Sequence, residues 1–185
     1  MNYKPGDNAD NRLETELRKV INSGQGRAHT DRLVNILETH PEWHNTLINI
    51  YLANEEPASR KIAWAIDLYT IENPEIITPY LERAANLLPL FIHDGLRRHT
   101  LHILSRSPLP LNCLGNLMNT CFDWLISADH PAAVKVYCME ILYQISLSEP
   151  GLRKELADCI ELRLNEETPG FRNRGLKILK KLSVD

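Results

Sequence analysis

The sequence predicts an all-α solenoid built from helix pairs, and three observations carry that prediction. A nine-residue segment returns four times, as ASRKIAWAI (58–66), GLRRHTLHI (95–103), AVKVYCMEI (133–141) and GFRNRGLKI (170–178), at intervals of 37, 38 and 37 residues. In each copy a basic residue (Arg60, Arg97, Lys135, Arg172) is followed three positions later by a small one (Ala63, Thr100, Cys138, Gly175) and six later by Ile (Ile66, Ile103, Ile141, Ile178). Apolar residues recur at three and four positions throughout, and two-residue alternation is nearly absent, which is the pattern of amphipathic helices. A unit repeating at this period buries its apolar face against its neighbours, so the units stack.

Prolines and cap residues cut the chain into five pairs, each an outer A helix followed by a B helix. The first pair, 9–22 with 28–39, lacks the copied segment, as an end repeat does when it presents one face to water. The second, 41–53 with 57–70, opens at His40-Pro41-Glu42 and restarts at Glu56-Pro57. The third, 74–88 with 94–105, opens at Asn73-Pro74-Glu75, where a cap donor precedes a proline whose missing N–H costs nothing at the first helical position. Pro79, inside ITPYLERAANLL, should kink this A helix rather than end it. The fourth pair is 111–127 with 131–146, its B helix signalled by His130-Pro131. The fifth is 149–165 with 169–182, with Thr168 capping ahead of Pro169. No linker divides the series, so residues 1–185 are read as one domain.

Composition narrows the class. With 43% hydrophobic and 24% charged residues the chain reads as an ordinary globular protein, neither disordered nor membrane-embedded. No apolar run approaches the roughly 20 residues that cross a bilayer. The polar start MNYKPGDNADNRLETEL lacks the order of a secretory signal, so a cytoplasmic location is expected. Cys113, Cys121, Cys138 and Cys159 lie far apart, at places where a helix wants a small apolar residue, and read as core packing rather than metal or redox sites. His99 and His102 share a helix face and His40 and His44 are four apart, yet two histidines make only half a zinc shell. No metal or other cofactor is predicted.

The 37-residue period, the A and B pairing, the proline in an A helix, and B helices opening with Arg or Lys and then a small residue three later resemble HEAT repeats and the related armadillo-like superhelices. The resemblance covers 41–182 closely and 9–40 loosely. It departs from the pattern at the first B helix and at Gly175, where Ala is commoner. It implies a right-handed α-α superhelix of about five pairs whose B helices line the concave surface. HEAT-like families are mostly protein-binding scaffolds, and they include DNA alkylation-repair glycosylases that grip duplex DNA on that surface.

Charge divides along the same line as the helices. The five B segments sum to +8 and the five A segments to −11, within a net charge of −3. Together with the resemblance, this implies a positive inner face that draws in phosphates or an acidic protein segment, less strongly as salt rises. The candidate binding residues are Arg60, Lys61, Arg97, Arg98, Lys135, Arg172, Arg174 and Lys177. A structural reading competes with this one. In HEAT-like units the repeat Arg pairs with a side chain six residues earlier, here Asn54, Phe91, Asp129 and Glu166, which leaves Arg97 as the freest of the four. The basic segment GFRNRGLKILKKL is either a binding patch or a solvated cap. A glycosylase would need a groove carboxylate beside aromatic residues. Asp67 beside Trp64 and Tyr69, and Asp123 beside Trp124, are the candidates, but Trp64 shares the apolar position of Leu101, Met139 and Leu176, and Asp123 falls on an A helix. No convergent catalytic constellation emerges. The expectation is a non-catalytic scaffold binding a protein partner on its basic B face, with nucleic-acid binding as the alternative. Oligomeric state is not legible.

Overall fold

The computed structural model describes residues 6–183, with side chains from Asn11 onward. These residues form helices joined by short turns and loops, without a strand, and cluster into two compact units that meet in sequence at Pro79 and Tyr80. Each unit is described in turn.

The first unit contains α1 (Gly6–Asn22), α2 (Arg27–Thr39), α3 (His44–Leu52) and α4 (Ala58–Tyr69). α4 is its centre, packed by α2, α3 and α1. Ile62, Ala63 and Ile66 of α4 are fully buried, together with Leu33, Leu37, Ile48 and Tyr51 from its neighbours. The α1–α2 connection is tight because residue 24 has no side chain. A Cβ on Gly24 would lie 2.6 Å from Nδ1 of His29, whose Nε2 is 2.9 Å from the Ile21 carbonyl oxygen. Between α3 and α4 the chain turns through Asn54 at φ 58° and a cis Glu56–Pro57 peptide.

The segment around Pro79 departs from expectation. Instead of one kinked helix, residues Pro74–Ile76 and Thr78–Tyr80 form separate 3-10 turns, and α-helix begins only at α5 (Leu81–Leu87). With Pro74 and Pro79 five residues apart, the ring of the second clashes with the carbonyl four residues before it and lacks a donor, so no uninterrupted α-helical turn spans them. Nor does Asn73 cap the following turn: its Nδ2 donates to the Tyr69 carbonyl at 3.1 Å, closing α4 behind it.

The second unit comprises α5, α6 (Asp94–Ser105), α7 (Leu114–Ile126), α8 (Ala132–Ser148), α9 (Leu152–Arg163) and α10 (Pro169–Leu182). Helices of like type neighbour one another, α5 with α7 and α7 with α9, α6 with α8 and α8 with α10, so A and B helices form two layers. Two caps fix the B-helix starts. Thr168 Oγ1 accepts from Phe171 N at 3.4 Å, as its place before Pro169 predicts, and His93 Nδ1 accepts from Gly95 N at 2.9 Å, a cap not read from sequence. The repeat residues explain the layering. Thr100, Cys138 and Gly175 are buried where A and B layers meet, and Ile103, Ile141 and Ile178 are buried beneath them. Each such Ile contributes about 1.5–3 kcal/mol of apolar burial. Small residues at the third position let the layers approach: a Cβ on Gly175 would lie 2.9 Å from Cγ2 of Ile160 on α9.

Candidate functional site

The predicted basic residues fall into three groups once placed in the fold. Arg60, Lys61 and Arg97 are engaged locally. Arg60 Nε pairs with Glu56 Oε2 at 3.0 Å, and Lys61 Nζ donates to the Asn22 carbonyl at 3.2 Å, where a cation offsets the exposed carbonyls of the α1 C-terminus. Arg97 was expected to be the freest and is among the most constrained. Its Nε donates to the Phe91 carbonyl oxygen at 2.7 Å, its Nη1 meets Asp94 Oδ1 at 2.9 Å, and its guanidinium lies 5.2 Å from the Trp124 ring centroid. The acceptor six residues earlier is used after all, through its backbone.

Lys135 forms the second group by itself. It is 2% exposed and ion-paired with Glu167, which also accepts from Arg163 Nη2 at 3.2 Å. Asp129, the acceptor that the resemblance to HEAT repeats implied, is bypassed for a residue beyond α9. Burial raises the Glu167 carboxyl pKa, but hydrogen bonds from Lys135 and Arg163 outweigh it and hold the group below its ordinary value. Lys135 is therefore part of the interior, and its assignment to an open binding face is corrected.

Arg98, Arg172, Arg174 and Lys177 are exposed. Arg98 Nη2 lies 3.1 Å from His99 Nε2, and Arg172 Nε donates to the Leu164 carbonyl at 3.2 Å. Glu166, the predicted partner of Arg172, instead pairs with Arg163 at 2.8 Å. Arg174 Nε is 2.8 Å from Glu140 Oε1. Among the described residues Lys177 has no ionic partner.

Counting from each repeat's basic residue exposes a register between B helices. His102 of α6 stacks on Tyr137 of α8 with centroids 4.7 Å apart, and Glu140 of α8 pairs with Arg174 of α10. Both contacts join the fifth position of one B helix to the second position of the next. One turn on, Gln144 Nε2 donates to the Ser105 carbonyl, and Lys181 Nζ lies 5.0 Å from the Tyr143 ring centroid, joining the eighth position to the ninth. Chemistry changes from rung to rung while register does not, so no residue-type pattern in the sequence signals these rungs.

Between α8 and α10 the B layer opens into a groove of about 530 Å³. Ala132, Ala133, Val136 and Gly170 leave it room, while Tyr137, Arg174 and Lys177 give it an aromatic and cationic wall. The remaining candidates do not join it. Asp67 is buried on α4 and Asp123 is exposed on the A helix α7. Trp64 is half-buried, whereas Leu101 and Met139 at the same repeat position are fully buried and Leu176 is exposed, so that position is not uniformly core. Cys113, Cys121 and Cys138 are buried and Cys159 half-buried, all as free thiols, and burial together with the neighbouring Cys121 pushes the Cys138 thiol well above its ordinary pKa. His130 sits 4.7 Å from the Trp124 ring, and burial and nearby Arg97 push its pKa down against the pull of Asp94. Among the described residues no three His, Cys, Asp or Glu side chains are grouped to hold a metal, and no helix is long and apolar enough to cross a membrane.

Two layers of alternating helices, a small residue and an Ile at fixed repeat positions, and a recurrent B-to-B register define an α-solenoid repeat protein. The chain belongs to the HEAT repeat domain family, whose profile matches residues 16–182. It matches no curated protein and no solved structure at a significant level. The kinship with DNA alkylation-repair proteins is not among what these comparisons show. HEAT repeats generally serve as protein-interaction scaffolds.

Proposed function

We propose that this protein is a non-catalytic interaction scaffold that binds an acidic segment of a protein partner in the B-layer groove between α8 and α10. The observation that carries the reading is the groove wall itself. Arg174 and Lys177 stand on one side of an opening of about 530 Å³, while Ala132, Ala133 and Val136 offer it apolar surface. Glu140 is neutralised by Arg174, so Lys177 leaves the wall with an unbalanced positive charge. A pocket of this size accepts one or two side chains, and a mixture of apolar surface and cation favours an aliphatic or aromatic residue flanked by carboxylates. Arg60, Lys61 and Arg97 do not line this groove, and each already has a local partner.

The reading is tested by titrating the isotopically labelled protein with a peptide of six glutamates around one phenylalanine, and in parallel with duplex DNA, at two salt concentrations. Amide shifts confined to Tyr137, Asn173, Arg174 and Lys177, lost in Tyr137→Ala and Lys177→Glu, are expected for the peptide. Duplex binding that is tighter, falls steeply with salt and ignores Tyr137→Ala would replace the reading with nucleic-acid binding.

A further inference from the structure

Within the second unit, α6 meets α8 and α8 meets α10 through the same fifth and eighth positions, so one face of each B helix receives the next. On α8 that face consists of the positions at zero, four, five and eight from the repeat basic residue, and each of them faces α10 or the residues just ahead of it. Lys135 pairs with Glu167 ahead of α10, and Met139 Sδ lies 3.9 Å from where a Cβ on Gly175 would stand. Glu140 pairs with Arg174, and the Tyr143 ring lies under Lys181. The same positions on α10 are Arg172, Leu176, Lys177 and Lys180. They line an open surface groove of about 430 Å³ together with Pro169 and Asn173, and no described helix lies on them. The fourth position shows the consequence most plainly: Leu101 and Met139 are 0% exposed and Leu176 is 53% exposed.

We propose that this flank of α10, which adjoins the α8–α10 groove and shares Asn173 and Lys177 with it, is a second docking surface, for an acidic amphipathic helix of a partner protein packing as the next B helix of the stack would. Charge selects the occupant. Arg172, Lys177 and Lys180 surround Leu176, and α10 carries no acidic residue to balance them. A second copy presenting its own α10 would bring like charges together, which disfavours that pairing. The register between α8 and α10 specifies what the incoming helix must carry. A carboxylate ahead of its first turn would reach Arg172 as Glu167 reaches Lys135. A carboxylate at its second position would reach Lys177 as Arg174 reaches Glu140. A small residue at the third would sit over Leu176, and a carboxylate at the ninth would meet Lys180. This is helix-in-groove recognition with aliphatic contact for affinity and charge for register.

The repeat itself supplies the probe. A peptide of residues 165–183, lactam-bridged to hold the helix, already has Glu167 and Gly175 at the required places; Arg174→Glu and Lys181→Glu within it supply the other two carboxylates. Fluorescence anisotropy against the full chain should show this peptide binding at least tenfold tighter than the unmodified sequence, which differs only in those two charges. Leu176→Asp in the protein should reduce binding at least tenfold with thermal stability unchanged, and Arg98→Glu on α6 should have no effect. Equal binding of the two peptides, or indifference to Leu176→Asp, overturns the proposal. So does self-association in sedimentation velocity that Leu176→Asp abolishes, which would make the occupant a second copy. Duplex DNA bound at the same salt and lost with Leu176→Asp would equally overturn it. Tyr137→Ala, at a residue that lines only the α8–α10 groove, should spare this helix peptide, and Leu176→Asp, at a residue that lines only this flank, should spare the glutamate peptide; failure of one surface is thereby distinguished from failure of the other.

Discussion

Arg97 donates from Nε to the carbonyl oxygen of Phe91 at 2.7 Å, so the loop between α5 and α6 is tied down at a repeat with no acidic side chain six residues before its Arg. A backbone acceptor stands in for the missing carboxylate, and Asp94 and the Trp124 face complete the seat. Arg97→Ala should therefore cost about 1.5–3 kcal/mol, because a charge-assisted bond is lost and the Phe91 carbonyl is left without it. Arg97→Lys should recover less than half, since an ammonium cannot serve the carbonyl, the carboxylate and the ring at once. Urea denaturation of both variants checks this; full recovery by Lys would show that charge alone matters.

This contact also marks where sequence reading stops. The pair boundaries were legible because Pro41, Pro57, Pro131 and Pro169 punctuate them, and the core face because Ile103, Ile141 and Ile178 recur with small residues three before them. Pro79 was misjudged because a kink and a break look alike in sequence, and the nearby Pro74 decided for a break. The basic residues find partners other than the ones expected of them, and Lys135 lies in the interior. The resemblance to HEAT repeats implied side chains such as Asp129 and Glu166, whereas the fold uses the Phe91 and Leu164 carbonyls and the more distant Glu167. Backbone acceptors have no residue type and so leave no trace in the sequence. Exposure of Leu176 was hidden for a related reason: its repeat position reads as core in Leu101 and Met139, and among the described residues no helix covers it.

The Lys135–Glu167 pair predicts an asymmetric mutational response and an acid-sensitive stability. Glu167→Gln leaves a buried ammonium without its counterion and should cost about 3–5 kcal/mol, whereas Lys135→Met leaves Glu167 its bond from Arg163 and should cost far less. Because Glu167 has a folded pKa below its unfolded one, its contribution is present above the unfolded value, near 4.3, and is lost as pH falls through the folded value. His130 has a depressed folded pKa as well; as pH falls below about 6.5 the unfolded chain takes up its proton first, and stability drops there too. Urea midpoints measured between pH 7 and pH 3 should thus fall in two stages for the native sequence. Lys135→Met should shrink the lower stage and spare the upper one; an unchanged lower stage would mean that the pair does not hold the Glu167 pKa down.

Gly175 supplies the last prediction, because two opposed effects of known size meet there. In the interior of α10, Gly→Ala should gain about 1 kcal/mol of helix propensity. The added methyl, however, would lie 2.9 Å from Ile160 Cγ2 and 3.3 Å from Leu164 Cδ2, both on the A-layer side, and overpacking of this kind costs about 1–3 kcal/mol. Ile160 is fully buried and β-branched, so its methyl has little freedom to retreat and the steric cost should win. Gly175→Ala should lower stability by up to about 2 kcal/mol and Tm by several degrees. Gly170→Ala is the matched control, since a Cβ there would meet only Thr168 Oγ1 at an ordinary 3.9 Å. It should leave stability unchanged or raise it. If Gly175→Ala were stabilising as well, the separation of α9 and α10 would be adjustable, and the small residue at the third repeat position would not be what sets the distance between the layers.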